Sequence, residues 1–157
     1  MIYLLDTNII RILLDHFPKK GKRFEEVWKL IDEMIDNGEI ISVDECYNEL
    51  CNHFSEKSEH YIWFHDRKKM FKNPDNKESL IIRDLLQNPK MRETIHHKNI
   101  LQNRPSADVY LAAKAKAINA TIVTEEKYKP NSAQLPNICE KLGVSYISYD
   151  DFMEIIS

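Results

Sequence analysis

Acidic side chains fall at four places along the chain where they could share one task. Asp6 stands in Asp6-Thr7-Asn8, directly after an apolar run over residues 2–5. Glu45 and Glu49 lie one helical turn apart after a second run, 40–43. Asp108 opens an alanine-rich stretch, and Glu125-Glu126 follow a third run, 120–124. Gathered in one place, such carboxylates repel one another and cost stability. A hard divalent cation, Mg²⁺ or Mn²⁺, relieves that repulsion, because such ions take oxygen ligands. Held against a phosphodiester, ions of this kind generate an attacking hydroxide and neutralise the leaving oxygen. Each acid also has an ordinary structural use. Asp6 can cap a helix, Asp108 near a helix start is favoured by the macrodipole, Glu49 can be a solvated helix residue, and Glu125 and Glu126 can be loop charges.

The elements that would position these acids follow from hydrophobic spacing. Residues 2–5 form a continuous apolar run, the pattern of a fully buried strand. A helical pattern (Ile9, Ile10, Leu13, Leu14) follows at once, and 16–22, with Pro18 and Gly21, reads as a loop. Apolar residues at Phe24, Val27, Trp28, Leu30, Ile31, Met34 and Ile35 predict a helix that Gly38 stops. A strand over 40–43 is followed by a helix that Asp44 can cap, with Cys46, Tyr47, Leu50, Cys51 and Phe54 as its apolar stripe. The middle, 55–104, has no clear strand; it carries helical patterns over 61–71 and 79–87, and 91–103 is ambiguous. The α/β alternation then resumes. Ser106 is placed to cap a helix over 108–119, a strand runs over 120–124, a helix over 137–142 ends at Gly143, and a strand over 144–148 precedes a last helix from Asp150. Short apolar strands alternating with helices predict an α/β fold with a four- to five-stranded, mostly parallel sheet and a helical insert. In such a sheet, strand ends and the first turns of the following helices face one edge, where ligands bind. Acids a hundred residues apart can therefore meet there.

A chain of 157 residues suggests a single domain, 1–157, with 55–103 as an insert within it. No apolar run approaches a membrane span, and Asp6 interrupts the only early apolar run, so no signal peptide is expected. The three cysteines, Cys46, Cys51 and Cys139, fit reduced thiols and a cytoplasmic protein. Cys46 and Cys51 with His53 lack the spacing and the fourth ligand of a zinc site. The net charge of −3 does not advertise nucleic-acid binding, but its distribution is uneven. Between His53 and Asn103, ten Lys/Arg face seven acids, +3, which leaves −6 for the remainder. A basic segment on an acidic body could track a phosphate backbone. Trp63, Phe64 and Phe71 beside Arg67-Lys68-Lys69 could stack bases; equally they are the core face of an amphipathic helix.

The sequence resembles the PIN-domain ribonucleases, the fold of VapC-type toxins of toxin–antitoxin pairs. The matching stretches are Tyr3-Leu-Leu-Asp-Thr-Asn8, Asn48-Glu-Leu50, Ser106-Ala-Asp-Val-Tyr-Leu-Ala-Ala113 and Ile122-Val-Thr-Glu-Glu126. Leu135-Pro-Asn-Ile-Cys139 followed by Leu142-Gly-Val144 resembles a PIN-like subgroup of unassigned function. The resemblance covers 1–54 and 104–157 and says little about the middle. It implies a three-layer PIN-like fold and a metal-dependent endoribonuclease that hydrolyses RNA phosphodiester bonds with Mg²⁺ or Mn²⁺. It implies Asp6, Glu49, Asp108 and Glu126 as the metal-binding, catalytic acids. Thr7, Asn8 and Ser106 would support them, and Glu45 and Glu125 compete for the second and fourth places. RNA, an antitoxin protein and a second copy of the chain are the partners it implies, with no membrane. The alternatives are a non-catalytic PIN-like scaffold for RNA or protein, a Mg-dependent DNA nuclease, or a phosphohydrolase. For the last, Thr7-Asn8 stands where haloacid-dehalogenase-type phosphatases carry Asp-x-Asp.

Overall fold

Successive residues of a strand point to opposite faces of the sheet. Tyr3, Leu4 and Leu5 of β1 (Tyr3–Leu5) are all buried, so both faces of that strand are covered. The same holds for β2 (Ile40–Val43), buried at every position. This is the burial of a parallel sheet between two layers of helices. The computed structural model describes residues 1–17, 22–101 and 107–157, the side chains of 98–101 excepted. Among these, five strands form one parallel sheet in the order β3-β2-β1-β4-β5. Tyr3 and Leu4 pair with Ile40 and Ile41 on one side, and with Thr121 and Ile122 of β4 (Thr121–Val123) on the other. β5 (Tyr146–Ile147) extends the sheet beyond β4. The fold is the expected PIN-like α/β architecture, at the upper end of the expected strand number.

Helix α1 (Thr7–His16) starts immediately after β1, and its buried face is Ile9, Ile10, Leu13 and Leu14. Helix α2 (Glu25–Asp36) buries Trp28, Ile31 and Ile35 and ends at Gly38, whose φ of 74° suits glycine. Helix α3 (Asp44–His53) follows β2 and buries Cys46, Tyr47 and Leu50. Asp44 is its first helical residue and does not cap it through its side chain; Val43 holds the cap position.

The middle of the chain departs from the sequence reading. Helix α4 (Glu59–Asp66) is capped by Ser58 and ends well before residue 71. A turn over Lys68–Met70 leads into a two-residue strand, β3 (Phe71–Lys72), which pairs with the end of β2. Residues 55–104 therefore contribute an edge strand as well as helices. The strand is too short to carry an alternation, which is why the sequence hides it. The base-stacking idea for Trp63, Phe64 and Phe71 is also corrected. All three are core residues, Phe64 with no exposure at all. Arg67 lies over Trp63 and pairs with Asp32 at 2.6 Å, so it ties α4 to α2. Helix α5 (Asn76–Leu86) opens with a reciprocal capping box between Asp75 and Glu78. The ambiguous stretch is helix α6 (Pro89–Leu101).

Helix α7 (Asp108–Ile118) packs on β2 and β4 and against α5 and α8 (Leu135–Leu142). Its alanines at 112, 113 and 115 are buried and allow that close approach. Helix α9 (Tyr149–Ile156) closes the chain, with Phe152 against Tyr3. The capping role read for Ser106 and part of the loop read over 16–22 lie outside the described residues. No described helix is long and apolar enough to cross a membrane.

Candidate metal centre

The sheet changes direction of winding at β1: the chain moves to β2 and β3 on one side and to β4 and β5 on the other. Crevices at such switch points, at the carboxyl ends of the strands, are where open α/β sheets place ligands. Asp6 follows β1 at that point, and its backbone N–H donates to the carbonyl of Val123 at the end of β4, at 3.2 Å. Asp108 arrives from the first turn of α7, and Glu126 from the loop after β4. One carboxylate oxygen from each of Asp6, Asp108 and Glu126 lies within 4.8 Å of the others, and no other such group of acids, histidines or cysteines occurs among the described residues.

Asp6 is held by several contacts. Its backbone is extended and it caps α1, accepting from the Thr7 N–H at 2.7 Å. Its other carboxylate oxygen accepts from the Thr124 hydroxyl at 3.0 Å. The Ser42 hydroxyl donates to the Leu5 carbonyl just before it at 2.7 Å, fixing β2 to the end of β1. Burial, and then the charges of Asp108 and Glu126, push the Asp6 carboxyl up to about 8. The hydrogen bonds from Thr124 and Thr7 oppose that rise and are outweighed. The Cys139 thiol of α8 is likewise raised to about 12, by burial first and then by Asp108 and Glu126. Negative charge therefore dominates the space between α7, α8 and the strand ends.

Glu126 accepts from the Leu135 N–H at the start of α8 at 2.7 Å, and its own N–H donates to Thr124 Oγ1 at 3.1 Å. Glu125 points elsewhere: it is exposed and accepts from the Tyr149 N–H that opens α9, at 2.7 Å. Between these two neighbours the geometry brings Glu126, not Glu125, to Asp6 and Asp108. Glu49 is half-buried and accepts from the Thr7 hydroxyl at 3.4 Å, so Thr7 bridges it to Asp6. Glu45, one turn earlier on α3, belongs to another group. Its carboxyl is raised by burial, with Asp44 and Glu78 adding and Lys114 opposing, and its Oε2 is buried without a hydrogen-bond partner. Asn8 is exposed on the first turn of α1.

Two residues at or near this edge escape the sequence reading. Thr124 is the hydroxyl partner of Asp6; the available signal was its place after β4, matching that of Thr7 after β1. Lys114 is buried in the alanine-rich helix, with its ammonium 3.0 Å from Glu78 and donating to the Asn73 carbonyl at 3.2 Å. A lone lysine among alanines reads as a solvent-facing residue, and nothing local marks its partner.

A family model described as a domain of unknown function, DUF4411, matches residues 3–156. The chain belongs to the DUF4411 family. No curated protein matches it. Solved structures share the DUF4411 chain's fold at low identity. VapBC2 from Rickettsia felis, bound to a DNA fragment from their promoter, is 16% identical, with 94% of this chain and 98% of that chain covered and a TM-score of 0.57. VapBC-1 from nontypeable Haemophilus influenzae is 17% identical, with 96% and 99% covered and a TM-score of 0.51. FitAcB from Neisseria gonorrhoeae is 17% identical, with 94% and 98% covered and a TM-score of 0.51. These likenesses establish for this DUF4411 member the PIN-like fold that the sequence blocks led us to expect.

Proposed function

We propose that this DUF4411 protein is a metal-dependent endoribonuclease. The observation that carries the reading is the convergence of Asp6, Asp108 and Glu126 at the switch point of the sheet. The donor set fits a hard divalent cation. It is made of carboxylate oxygens alone, and burial beside Asp108 and Glu126 raises the Asp6 carboxyl. Asp6, Asp108 and Glu126 would hold Mg²⁺ or Mn²⁺, with Glu49 reaching the same edge through Thr7. When bound, a divalent cation supplies charge neutralisation at the attacked phosphate and a more acidic water.

The chain's own residues supply position. Thr7 and Thr124 fix the two oxygens of Asp6. The α8 N-terminus holds Glu126 in one orientation through the Leu135 N–H. Asp108 is brought to the cluster by the first turn of α7. Glu49, less buried than Asp6, is a candidate to take the proton of the attacking water. The structural neighbours are two-component VapBC and FitAcB assemblies, one of them bound to promoter DNA. They support the further reading that this chain is the toxin of a pair whose antitoxin protein restrains it, with a second copy of the chain as another possible partner in the cytoplasm.

The test is cleavage of single-stranded RNA by the purified protein with Mg²⁺ or Mn²⁺. Single-stranded DNA and a generic phosphate ester serve as comparison substrates, and Asp108→Asn as the control. Metal-dependent RNA cleavage lost in Asp108→Asn is the expected result. RNA cleavage by Asp108→Asn at the parent's rate, or none by the parent, overturns the reading.

A further inference from the structure

Immediately after Glu126 the chain runs through Lys127-Tyr128-Lys129, all exposed. Tyr128 keeps 52% of its surface in solvent and is the one aromatic among the strongly exposed large hydrophobic residues described. Its backbone setting is fixed. Glu126 takes the Leu135 N–H, and Asn137 of α8 pairs with both backbone groups of Lys129, accepting from its N–H at 3.2 Å and donating to its carbonyl at 2.6 Å. The segment thus runs along α8, from the acid cluster near Leu135 toward Glu140. Those two anchors on α8, Leu135 and Asn137, are two helical residues apart, about 3 Å along the axis, and Tyr128 lies in the chain between the residues they hold.

A groove of about 310 Å³ opens beside it, lined among others by Tyr128, Lys90, Lys141, Asn131 and Met91, with Glu140 as its one acid. Lys90 donates to the Asn131 side chain at 2.9 Å, so its ammonium is held at the rim. Asn131 and Thr94 also line a neighbouring groove of about 480 Å³ with His96 and His97. The two grooves adjoin at Thr94 and Asn131. An exposed ring on a braced segment that directly follows a member of the carboxylate cluster, in a groove with two lysines, matches the way single-stranded nucleic acid is gripped: bases stack on aromatics while cations follow the backbone.

We infer that Tyr128 and the Lys90–Lys141 groove form a nucleotide-binding subsite. It stacks a base of single-stranded RNA next to the cleaved bond and leads the strand toward α6. The inference rests on the ribonuclease reading, and the experiment separates the two. Binding of a fluorescein-labelled single-stranded RNA is measured by anisotropy in a non-cleaving Asp6→Asn background. Adding Tyr128→Ala should weaken binding about tenfold, and Tyr128→Phe, which keeps the ring, should stay within about twofold. Lys141→Ala should lower the slope of log affinity against log salt by about 0.7. RNA bound equally well by the Tyr128→Ala and Tyr128 proteins overturns the subsite and leaves the ribonuclease reading standing. If the parent neither binds nor cuts RNA, the ribonuclease reading falls and the subsite falls with it. Tyr128 is half in solvent, so its replacement does not threaten the fold.

Discussion

Asp108 and Lys114 sit six residues apart on α7, each more than nine-tenths buried, in opposite surroundings. Lys114 is matched: its ammonium meets the Glu78 carboxylate at 3.0 Å and the Asn73 carbonyl at 3.2 Å. Asp108 faces two further acids, Asp6 and Glu126, across less than 4.8 Å. A buried charge with its counter-charge holds elements together; here it locks α7 to α5. Buried like charges do the reverse, and they persist only where something else depends on them. The same helix thus carries one buried charge that ties elements together and one that belongs to the proposed metal site.

That comparison can be broken by substituting each partner and reading both activity and stability. Asp108→Asn should reduce RNA cleavage about a thousandfold, the effect of losing several kcal/mol of charge stabilisation at the phosphate, while the melting temperature holds or rises. Lys114→Met should do the opposite. It strands a buried Glu78 and should cost about 3–5 kcal/mol of stability. The melting temperature would drop by roughly 10 °C, with cleavage per folded molecule retained. Adding Glu78→Gln to Lys114→Met should recover much of that loss. Thermal melts and cleavage assays on the four proteins decide the matter. A Lys114→Met protein as stable as the parent would show that the pair contributes little.

The neighbouring acids sharpen it further. Glu126→Gln keeps an oxygen for the Leu135 N–H but removes the charge facing Asp6 and Asp108. Mn²⁺ affinity, read by calorimetry, should fall at least about tenfold with little change in stability. Glu125→Gln should change neither quantity, because Glu125 serves only the Tyr149 N–H in the contacts described. Glu125→Ala should cost about 1 kcal/mol, the worth of that hydrogen bond. On α3, Glu49→Gln should weaken Mn²⁺ binding and Glu45→Gln should not. Equal losses at Glu45 and Glu49 would move the second acid's place.

The contrast also explains what was readable in the sequence. The three strands around the switch point were legible because each is a short, mostly apolar run followed at once by a polar residue. Asp6 and the Glu125-Glu126 pair were legible because they stand just beyond such runs, and Asp108 because it opens an alanine-rich helical stretch. Choosing between Glu125 and Glu126 needed the fold, since the two face different helices although they are adjacent in the chain. The Lys114–Glu78 pair was illegible: its members are 36 residues apart on separate helices, and neither departs from an ordinary helical surface pattern. β3 was missed because two residues carry no periodicity. The aromatics of α4 were readable as a core face, with base stacking as the alternative, since a basic flank on the sequence says nothing about which way the rings point. Phe64 and Trp63 point inward, against Tyr47 and Trp28.

A separate expected effect concerns protons at the acid cluster. The Asp6 carboxyl titrates at about 8 in the native protein and at 3.8 when unperturbed. Between those values the native state holds a proton that the unfolded chain has released. Native stability is therefore greatest below about pH 4 as far as this group is concerned, and it declines as pH rises toward 8. In EDTA the parent should melt lower at pH 8 than at pH 5, by an amount that disappears in Asp6→Asn, because the amide cannot ionise. At pH 8 the metal-free Asp6→Asn protein should be the more stable of the two, although it is the inactive one. Mn²⁺ should reverse the order at pH 8 by stabilising the parent alone, and should do so less at pH 5, where protons compete for the same oxygens. Lys114→Met should leave this pH-dependent difference between the two forms of residue 6 in place, since its charge is matched by Glu78 and lies outside the cluster. A pH slope that survived Asp6→Asn would assign the titration to another group and remove the energetic argument that the cluster is built for a cation.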